Sequence, residues 1–373
     1  MREGWTYKKL EDVCFVLNGF AFKSERYVEH GIRVLRITNV QKGAIVDNDP
    51  KFYPLDEVLS IKQYILNEGD LLMSLTGNVG RVGLLQSDLL PAALNQRVAC
   101  LRIKTNNVLL KYLFHLFNSD RFEKDCIFNA AGIAQKNLST EWLKKYSIPV
   151  PPLSEQQRIV SELDLLSSII EKKKAQLKEY DQLAQSIFYD MFGDPVTNEK
   201  GWEVKKLGDC CNNCDSLRKP ITAKDRIKGT IPYYGASGIV DYVKDYLFDG
   251  EYLLISEDGA NLVFRSTPIA FRIKGKTWVN NHAHVLQFDT LFQQIFMEYS
   301  INLRDISSIV TGCAQPKLTQ AAMNNINIPY PPLPLQQSFA SKIEAIERQK
   351  ALIQQSIAEV QMLFDSRMDD WFA

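Results

Sequence analysis

Two long stretches of the chain carry one apolar side chain every three, four or seven residues, with polar residues between them. The first stretch carries Ile159, Leu163, Leu166, Ile170, Leu177, Ala184, Ile187 and Met191, and the second carries Ile343, Ile346, Ile353, Ile357, Val360, Leu363 and Phe364. This spacing places the apolar side chains on one face of a helix. Each stripe is long compared with the usual globular helix of roughly 11–12 residues. We therefore predict two amphipathic helices that bury each other as an antiparallel pair, rather than each packing on its own domain.

A proline-rich phrase precedes each of these predicted helices. It reads SIPVPPLSEQQ at residues 147–157 and NIPYPPLPLQQ at residues 327–337. Proline favours extended backbone and disfavours helix in the residue before it, so the phrase predicts an extended segment that leads into a helix. Ser154 and Gln157 are spaced as a capping box, and Pro334 suits the first helical position of the second copy.

The repeat extends well beyond this phrase. GWTYKKLEDVC matches GWEVKKLGDCC, GDLLMSLTGN matches GEYLLISEDGAN, LNQRVACL matches VNNHAHVL, and GIAQKNL (132–138) matches GCAQPKL (312–318). We infer a duplicated half, in which a globular unit is followed by the phrase and then by a helix. The offset between the halves is 180 at the phrase and 176 for the match of EKKKAQL (171–177) with ERQKALI (347–353). That difference predicts a second helix about one turn shorter than the first.

The globular halves have a mixed α/β pattern. The segments ILNEGDLLMSL, GEYLLISEDG, IRVLRITNV and RVACLRI predict strands bounded by turns. Residues 112–127 and 291–306 have the apolar spacing of helices.

Composition narrows the class of protein. The 373 residues include no run of 18 apolar residues, and the first residues, MREGWTYKKLEDV, lack the apolar core of a secretory signal. Seven cysteines without regular spacing do not resemble a disulfide framework, which favours a cytoplasmic, reduced protein. The 44 basic and 44 acidic side chains cancel, so a nucleic-acid binder would have to gather its basic residues on one face.

Two signals of possible chemistry, a CxxC and an acidic pair, are weak. Cys211 and Cys214 form a CxxC that could bind zinc together with His282 and His284, but no second CxxC is present. Glu257–Asp258 is an acidic pair in a loop, yet Leu75–Thr76 stands at the matching place in the first half. Neither an Asn-Pro-Pro-Tyr motif nor a glycine-rich cofactor loop occurs. We therefore predict no catalytic and no metal-binding residue.

The order of unit, IPxPPLxxQQ phrase and long helix, written twice, resembles the DNA-specificity subunit of type I restriction-modification systems. GDLLMSLTGNVG, PYYGASGIVDYV and YLLISEDGANL are similar to stretches of that family's target recognition domains, and AAGIAQKNLS and TGCAQPKLT resemble its element before the helices. The resemblance covers essentially the whole chain. In the second phrase Pro334 and Leu335 stand where the first has Ser154 and Glu155.

The resemblance implies an α+β fold: two similar α/β target recognition domains separated by two long helices that form an antiparallel coiled coil, with an internal pseudo-twofold repeat. It implies domains at residues 1–153 and 194–333, with helices at 154–193 and 334–373. Each domain would read one half of a bipartite double-stranded DNA target. A helix of about 35 residues spans roughly 50 Å, compatible with half-sites about 34–36 Å apart.

The resemblance also implies partners and their cofactors. The helices would set the spacing and dock two methyltransferase subunits, which use S-adenosylmethionine. Restriction and translocase subunits that use ATP and Mg would join the same cytoplasmic complex. The chain itself would hold no cofactor and no metal and would catalyse nothing. A coiled-coil interaction protein that does not bind DNA remains the alternative.

Base readout requires polar side chains on loops or strand ends. In the first half the candidates are Arg36, Thr38, Asn39, Thr76, Asn78, Arg81, Asn95, Gln96, Arg97 and Lys136. In the second half they are Tyr234, Ser237, Asp258, Asn261, Arg265, Asn280, Asn281, His282 and Lys317. Asn95 and Asn280 occupy matching places, so they could instead hold a turn that both halves share. Arg97 against His282 is the better candidate for a difference in specificity.

Overall fold

A computed structural model describes residues 4–131, 136–312 and 314–373. The chain forms two compact units. The first unit comprises residues 1–172 and 356–373, and the second comprises residues 173–355. The repeated GIAQ element at 132–135 and Cys313 of its second copy lie outside the described residues.

The strands of the first unit are short. They are β1 (Thr6–Lys9), β2 (Cys14–Asn18), β3 (Ile32–Leu35), β4 (Val40–Gln41), β5 (Ala44–Ile45), β6 (Phe52–Tyr53), β7 (Leu71–Ser74), β8 (Val82–Leu84), β9 (Ala92–Leu94), β10 (Val98–Ile103) and β11 (Ser147–Val150). Its helices are α1 (Leu10–Val13), α2 (Leu110–Phe117), α3 (Asp120–Asn129) and α4 (Thr140–Lys145), followed by the start of α5 (Leu153–Phe192).

A four-stranded antiparallel sheet in the order β2-β10-β7-β8 forms the centre of the first unit. A second sheet, β6-β3-β9, contains the parallel pair of β3 and β9. The apolar faces of β7 and β10 pack against α2 and α3 through buried residues such as Leu71, Leu101, Tyr112 and Phe122. Burial of these faces is the main stabilising contribution to the unit.

The second unit repeats this plan with longer strands. They are β12 (Val204–Lys206), β13 (Asn212–Asn213), β14 (Lys228–Gly235), β15 (Gly238–Val243), β16 (Phe248–Ser256), β17 (Ala270–Val279), β18 (Ala283–Gln287) and β19 (Asn327–Pro329). Its helices are α6 (Asn261–Phe264), α7 (Leu291–Asn302) and α8 (Gln320–Asn324), followed by the start of α9 (Leu333–Phe372). One six-stranded sheet has the order β13-β18-β16-β17-β14-β15, in which β14 and β17 are parallel.

The repeated phrase closes each unit. Its extended part is β11 in the first unit and β19 in the second, and each pairs with the strand that opens the same unit, β1 or β12. The first glutamine of each QQ pair, Gln156 or Gln336, is completely buried. Gln156 donates from Nε2 to the carbonyl oxygens of Pro151 (2.8 Å) and Asn107 (2.9 Å) and accepts from the Leu109 N–H (2.8 Å). The phrase is therefore a joint that ties the helix to its own domain.

The predicted capping box is wrong. The α5 helix begins at Leu153, so Ser154 lies inside its first turn, and the Pro152 carbonyl accepts the first helical hydrogen bonds, from Glu155 and Gln156. The side chain of Gln157 donates to Ser161 Oγ instead. The helix therefore begins one residue before the predicted cap, directly after the two prolines that hold the preceding chain extended.

The two long helices pair in an antiparallel manner inside each unit. In the first unit Arg158 lies over the ring of Trp371 (5.0 Å) and Glu162 pairs with Arg367. In the second unit Asp181 pairs with Lys350, and Phe188 packs edge-on against Phe339 (5.6 Å). Both helices have 40 residues, so the prediction that the second is one turn shorter is wrong.

The apolar stripes are buried, but they pack on the domains as well as on each other, which differs from the prediction: Ile159 and Leu163 lie in the core of the first unit, and Ile343 and Ile346 in that of the second. Ile159, Leu163, Leu166, Ile170, Ile343, Ile346 and Ile353 are buried, and Leu177, Ile187, Ile357 and Val360 are partly buried. Leu363 is an exception, with half of its surface exposed.

The predicted strands of the globular halves are present, but the helix predicted at 112–127 is two helices, α2 and α3. Ser119 interrupts it and caps α3 by accepting from the Phe122 N–H (3.3 Å). Along the described ranges of the chain, every helix is too short or too polar to cross a membrane.

Candidate nucleic-acid interface

Four stretches of the first unit meet at the end of the parallel pair of β3 and β9. They are residues 35–39, 75–81, 95–97 and 136–138, which we call the first candidate surface. Four backbone hydrogen bonds join them: Asn95 N–H to Leu35 O (3.2 Å), Leu75 N–H to Arg97 O (2.9 Å), Gly77 N–H to Lys136 O (2.9 Å) and Leu138 N–H to Leu75 O (2.7 Å).

The second unit contains the same arrangement in residues 234–237, 257–261, 280–282 and 316–318, the second candidate surface. Its bonds are Asn280 N–H to Tyr234 O (3.1 Å), Glu257 N–H to His282 O (2.9 Å), Gly259 N–H to Pro316 O (3.0 Å) and Leu318 N–H to Glu257 O (2.8 Å). Gly77 and Gly259 both have positive φ, 75° and 107°, which a side chain would disfavour. All four backbone hydrogen bonds of the first surface therefore have a counterpart in the second.

The structure brings most of the predicted site residues onto these surfaces. Exposed or half-exposed on the first surface are Arg36, Thr38, Asn78, Arg81, Gln96, Arg97 and Lys136. On the second surface they are Tyr234, Ser237, Asp258, Asn261, Asn281, His282 and Lys317. Loops and strand ends are where base-contacting side chains are usually presented.

Several predicted residues hold the loops in place. Asn95 and Asn280 are buried, and each side-chain oxygen accepts the N–H of the residue two positions on, Arg97 (3.2 Å) or His282 (2.8 Å). Asn39 is also buried, and it accepts the Arg36 N–H and donates to Val46 O. Because these amides are buried and their oxygens already accept backbone N–H groups, they hold the loops rather than face a ligand.

Three further candidates are engaged by the protein. Buried Thr76 donates to Asn137 Oδ1 (2.9 Å). Asn261 closes its own loop by donating to Thr267 O (3.0 Å) and accepting from the Thr267 N–H. Arg265 lies outside the second candidate surface, because its guanidinium donates to Arg304 O (2.6 Å) and lines a groove with Asp181.

The two surfaces differ in charge. On the first, Arg81 donates to Gln41 Oε1 (2.7 Å), and the side chain of Arg97 projects from the loop that Asn95 holds. On the second, His282 contacts Asp258 Oδ2 (2.8 Å) and Lys317 pairs with Glu257 Oε1 (3.0 Å). On the first surface Arg36 pairs with Asp49 Oδ2 (3.0 Å), Arg81 bonds a neutral amide and Arg97 is exposed, whereas on the second both His282 and Lys317 face a carboxylate.

Sequence reasoning missed the side chains behind the second surface. Asp215, Arg218, Glu257 and His284 form a buried or nearly buried charge network there, and Lys219 lies exposed beside it, with its N–H donating to Val279 O (3.4 Å). The matching bond in the first unit runs from Phe20 to Leu94. Glu257 had a sequence signal in its place beside Asp258, and His284 in the His-Ala-His pair, whereas Asp215 and Arg218 had none.

One steric contact of the first surface was also missed. Gly19 approaches the backbone of the Asn95 turn so closely that a Cβ at this position would lie 2.2 Å from Asn95 O. No residue larger than glycine fits there without moving the turn, and a single sequence offers no signal for it.

The proposed CxxC does not gather metal ligands. In the described part of the chain, only Asp215, Glu257 and His284 bring three potential ligand atoms within 4.8 Å of one another. Arg218 and Lys317 already pair with both oxygens of Glu257. Burial raises the pKa of Cys210 to about 11 and that of Cys211 to about 12, so neither thiol is a ready thiolate at neutral pH.

Comparison with known proteins identifies the family. The family model described as "Type I restriction modification DNA specificity domain" matches twice, at residues 2–179 and 199–362. The chain therefore belongs to this family.

Among relatives, a putative type I restriction enzyme specificity subunit of Haemophilus influenzae is 35% identical over 144 residues, 39% of this chain and 37% of that protein. The EcoAI specificity subunit of Escherichia coli is 32% identical over 48% of this chain and 31% of its own length. The chain thus spans well under half the length of these relatives.

Solved structures share the fold over the full length. The S subunit of a type I restriction-modification system from M. genitalium has a TM-score of 0.57 at 14% identity, covering 99% of this chain and 96% of that one. Its similarity confirms the predicted α+β class with two repeated recognition domains and long helices.

Proposed function

We propose that this chain is a sequence-specific DNA-binding specificity subunit of a type I restriction-modification complex. The observation that carries the proposal is the duplicated loop junction: the same four backbone hydrogen bonds present different exposed side chains in each unit. A loop junction with the same backbone in both units and different exposed side chains is suited to recognising two different half-sites of one bipartite target. Family membership supports the same assignment.

The chain is proposed to be non-catalytic and to hold no cofactor. Its partners are double-stranded DNA, two methyltransferase subunits that would use S-adenosylmethionine, and restriction and translocase subunits that would use ATP and Mg. The proposed location is the cytoplasm. We keep the division into recognition domains at 1–153 and 194–333 and helices at 154–193 and 334–373 as part of this proposal.

The direct test is to express the chain with the methyltransferase subunit of its own system and to sequence the methylated bases. We expect a motif of two short specified blocks separated by a fixed unspecified gap. Binding of the reconstituted complex to DNA should weaken steeply with salt, since phosphate contacts release counterions. DNA binding without salt dependence, or no binding, would support the alternative of a coiled-coil interaction protein.

The long helices are proposed to set the gap between the half-sites and to dock the methyltransferase subunits. Four residues inserted after Ser167 and four inserted after Gln361 would lengthen both helices by about 6 Å while keeping their antiparallel pairing. We expect the unspecified gap to grow by one or two base pairs with both specified blocks unchanged. An unchanged gap in the methylation motif would contradict this role.

A further inference from the structure

The second candidate surface rests on a charge network where the first rests on apolar packing. Leu75 and Glu257 occupy matching backbone positions. The Leu75 N–H donates to Arg97 O, and the Leu75 carbonyl oxygen accepts the Leu138 N–H. In the same way, the Glu257 N–H donates to His282 O, and the Glu257 carbonyl oxygen accepts the Leu318 N–H. The Leu75 side chain is buried in the apolar core of the first unit. Glu257 is almost as buried, but it carries a carboxylate.

Both oxygens of that carboxylate are paired. Arg218 Nη1 lies 2.5 Å from Oε2 and Lys317 Nζ lies 3.0 Å from Oε1. Burial by itself would raise the pKa of Glu257, but the hydrogen bonds from Arg218 and Lys317 and the nearby His284 outweigh it, and the pKa is lowered. Glu257 therefore stays ionised at neutral pH and holds the Lys317 ammonium in one direction.

Arg218 connects this carboxylate to the turn that carries His282. Its Nη1 donates to Ala283 O (2.8 Å), directly after His282, and its Nη2 pairs with Asp215 Oδ2 (3.2 Å). A planar guanidinium with several fixed donors suits such a cross-link between elements.

His284 connects the network to the segment that carries Lys317. Its Nε2 donates to Leu318 O (2.9 Å), directly after Lys317, and its Nδ1 lies 2.6 Å from Asp215 Oδ2. The network therefore reaches the backbone beside two predicted readers, His282 and Lys317, as well as the Lys317 side chain itself.

Buried charge networks are seldom the most stabilising solution, since apolar packing of the same volume is often as good or better. In the first unit the same junction folds with buried apolar residues instead: Leu75 stands at the position of Glu257, and Ala99 at the position of His284. The network in the second unit is therefore explained best by a need to orient the charged side chains Lys317 and His282, which apolar packing cannot do.

We propose that Glu257, Arg218 and His284 are positioning residues for base recognition by the second unit, acting through Lys317 and His282. This inference rests on the proposed function. According to this inference, the buried network contributes to recognition of the half-site that the second unit binds. The first unit recognises the other half-site.

The test compares Glu257→Gln with Glu251→Gln, both expressed as full chains with the methyltransferase subunit. Glu251 is a matched control, because it forms an exposed ion pair with Lys274 (3.1 Å) on β16 of the same unit. For Glu257→Gln we expect the base preference at one position of one half-site to relax by about tenfold, within the roughly 5- to 150-fold that one base contact contributes. The other half-site is an internal control and should be unchanged, as should both half-sites in Glu251→Gln.

Lys317→Met is the second variant, because it leaves Glu257 paired with Arg218 and so spares the buried network. Relaxation at the same base position as in Glu257→Gln supports the inference. A wild-type motif in folded Glu257→Gln, or in Lys317→Met, overturns the inference while leaving the proposed function intact. Absence of any bipartite motif with the wild-type chain overturns both.

Discussion

Asn95 and Asn280 perform the same structural task in the two units: each side-chain oxygen accepts the N–H of the residue two positions later, Arg97 at 3.2 Å and His282 at 2.8 Å. Each asparagine is buried, and the residue that it positions is exposed. The buried asparagine is the same in both units, whereas the exposed residue that it positions differs. Substitutions at the two positions should therefore have different effects.

Replacing the reader should change specificity and leave stability unchanged. For Arg97→Ala we expect one base position in one half-site to lose about 1–3 kcal/mol of discrimination, because the base contact proposed for Arg97 is removed. Sequencing of methylated bases measures this. Arg121→Ala is the control, since Arg121 is exposed in the same unit but lies near Tyr146 and Phe372. Relaxation of both half-sites by Arg97→Ala would contradict the assignment.

Replacing the asparagine should instead change stability. Asn280→Ala removes the acceptor of the His282 N–H from a buried turn, at a cost of about 1–2 kcal/mol in the free energy of unfolding. Asn281→Ala, at the exposed neighbouring position, should stay within about 0.5 kcal/mol of wild type. Urea unfolding of both variants checks the difference, and equal costs would show that the side-chain hydrogen bond contributes little.

The buried glutamines of the two joints should differ in their importance. Gln156→Leu leaves the Leu109 N–H and the carbonyl oxygens of Pro151 and Asn107 without their partner. Gln336 makes one corresponding bond, to Pro331 O (2.8 Å).

At about 1–3 kcal/mol for each unsatisfied buried group, Gln156→Leu should destabilise by at least about 3 kcal/mol and Gln336→Leu by about 1–3 kcal/mol. Gln157→Leu, at an exposed position next to Gln156, is the control. Chemical unfolding that shows the larger loss for Gln336→Leu would refute this account of the joint.

Acid should weaken the second unit through its charge network. Burial raises the pKa of Asp215, but the hydrogen bond and charge of His284, the Val285 N–H and the Arg218 charge together lower it, and Glu257 is shifted in the same direction. Because the folded pKa values lie below the unfolded values of about 4, the stabilisation is fully present above pH ~4–5. It is lost as the pH falls through the lower folded values.

The measurement is the free energy of unfolding between pH 7 and pH 3 for wild type and Glu257→Gln. We expect the wild-type curve to fall more steeply, since the variant has lost one of the shifted carboxylates. Parallel curves would mean that the ion pairs of Glu257 do not persist in solution.

Much of the architecture could be predicted because it repeats. The matching phrases, the stripes that include Ile159 and Ile343, and the β-branched segment at Ile32–Leu35 each carry a local pattern whose period is set by the element they form. The break at Ser119 and the start of α5 at Leu153, one residue before the predicted cap, were missed because apolar periodicity does not fix the ends of a helix to a single residue.

The candidate surfaces could be predicted only in part. The rule of polar residues beside predicted strands selected Arg97, His282 and Lys317, which are exposed, but it also selected Asn39, which is buried, and Arg265, which lies elsewhere. A polar side chain in a loop has the same appearance in the sequence whether it bonds its own backbone or faces solvent.

The sequence by itself therefore determined that a unit, a proline-rich phrase and a long amphipathic helix occur twice, because repeats and periodicity are properties of neighbours along the chain. Only the tertiary structure decided that Asp215, Arg218, Glu257 and His284 form one charge network behind the second candidate surface. Those residues come from segments far apart in the sequence. Their contacts follow from strand order and register, which no local pattern encodes.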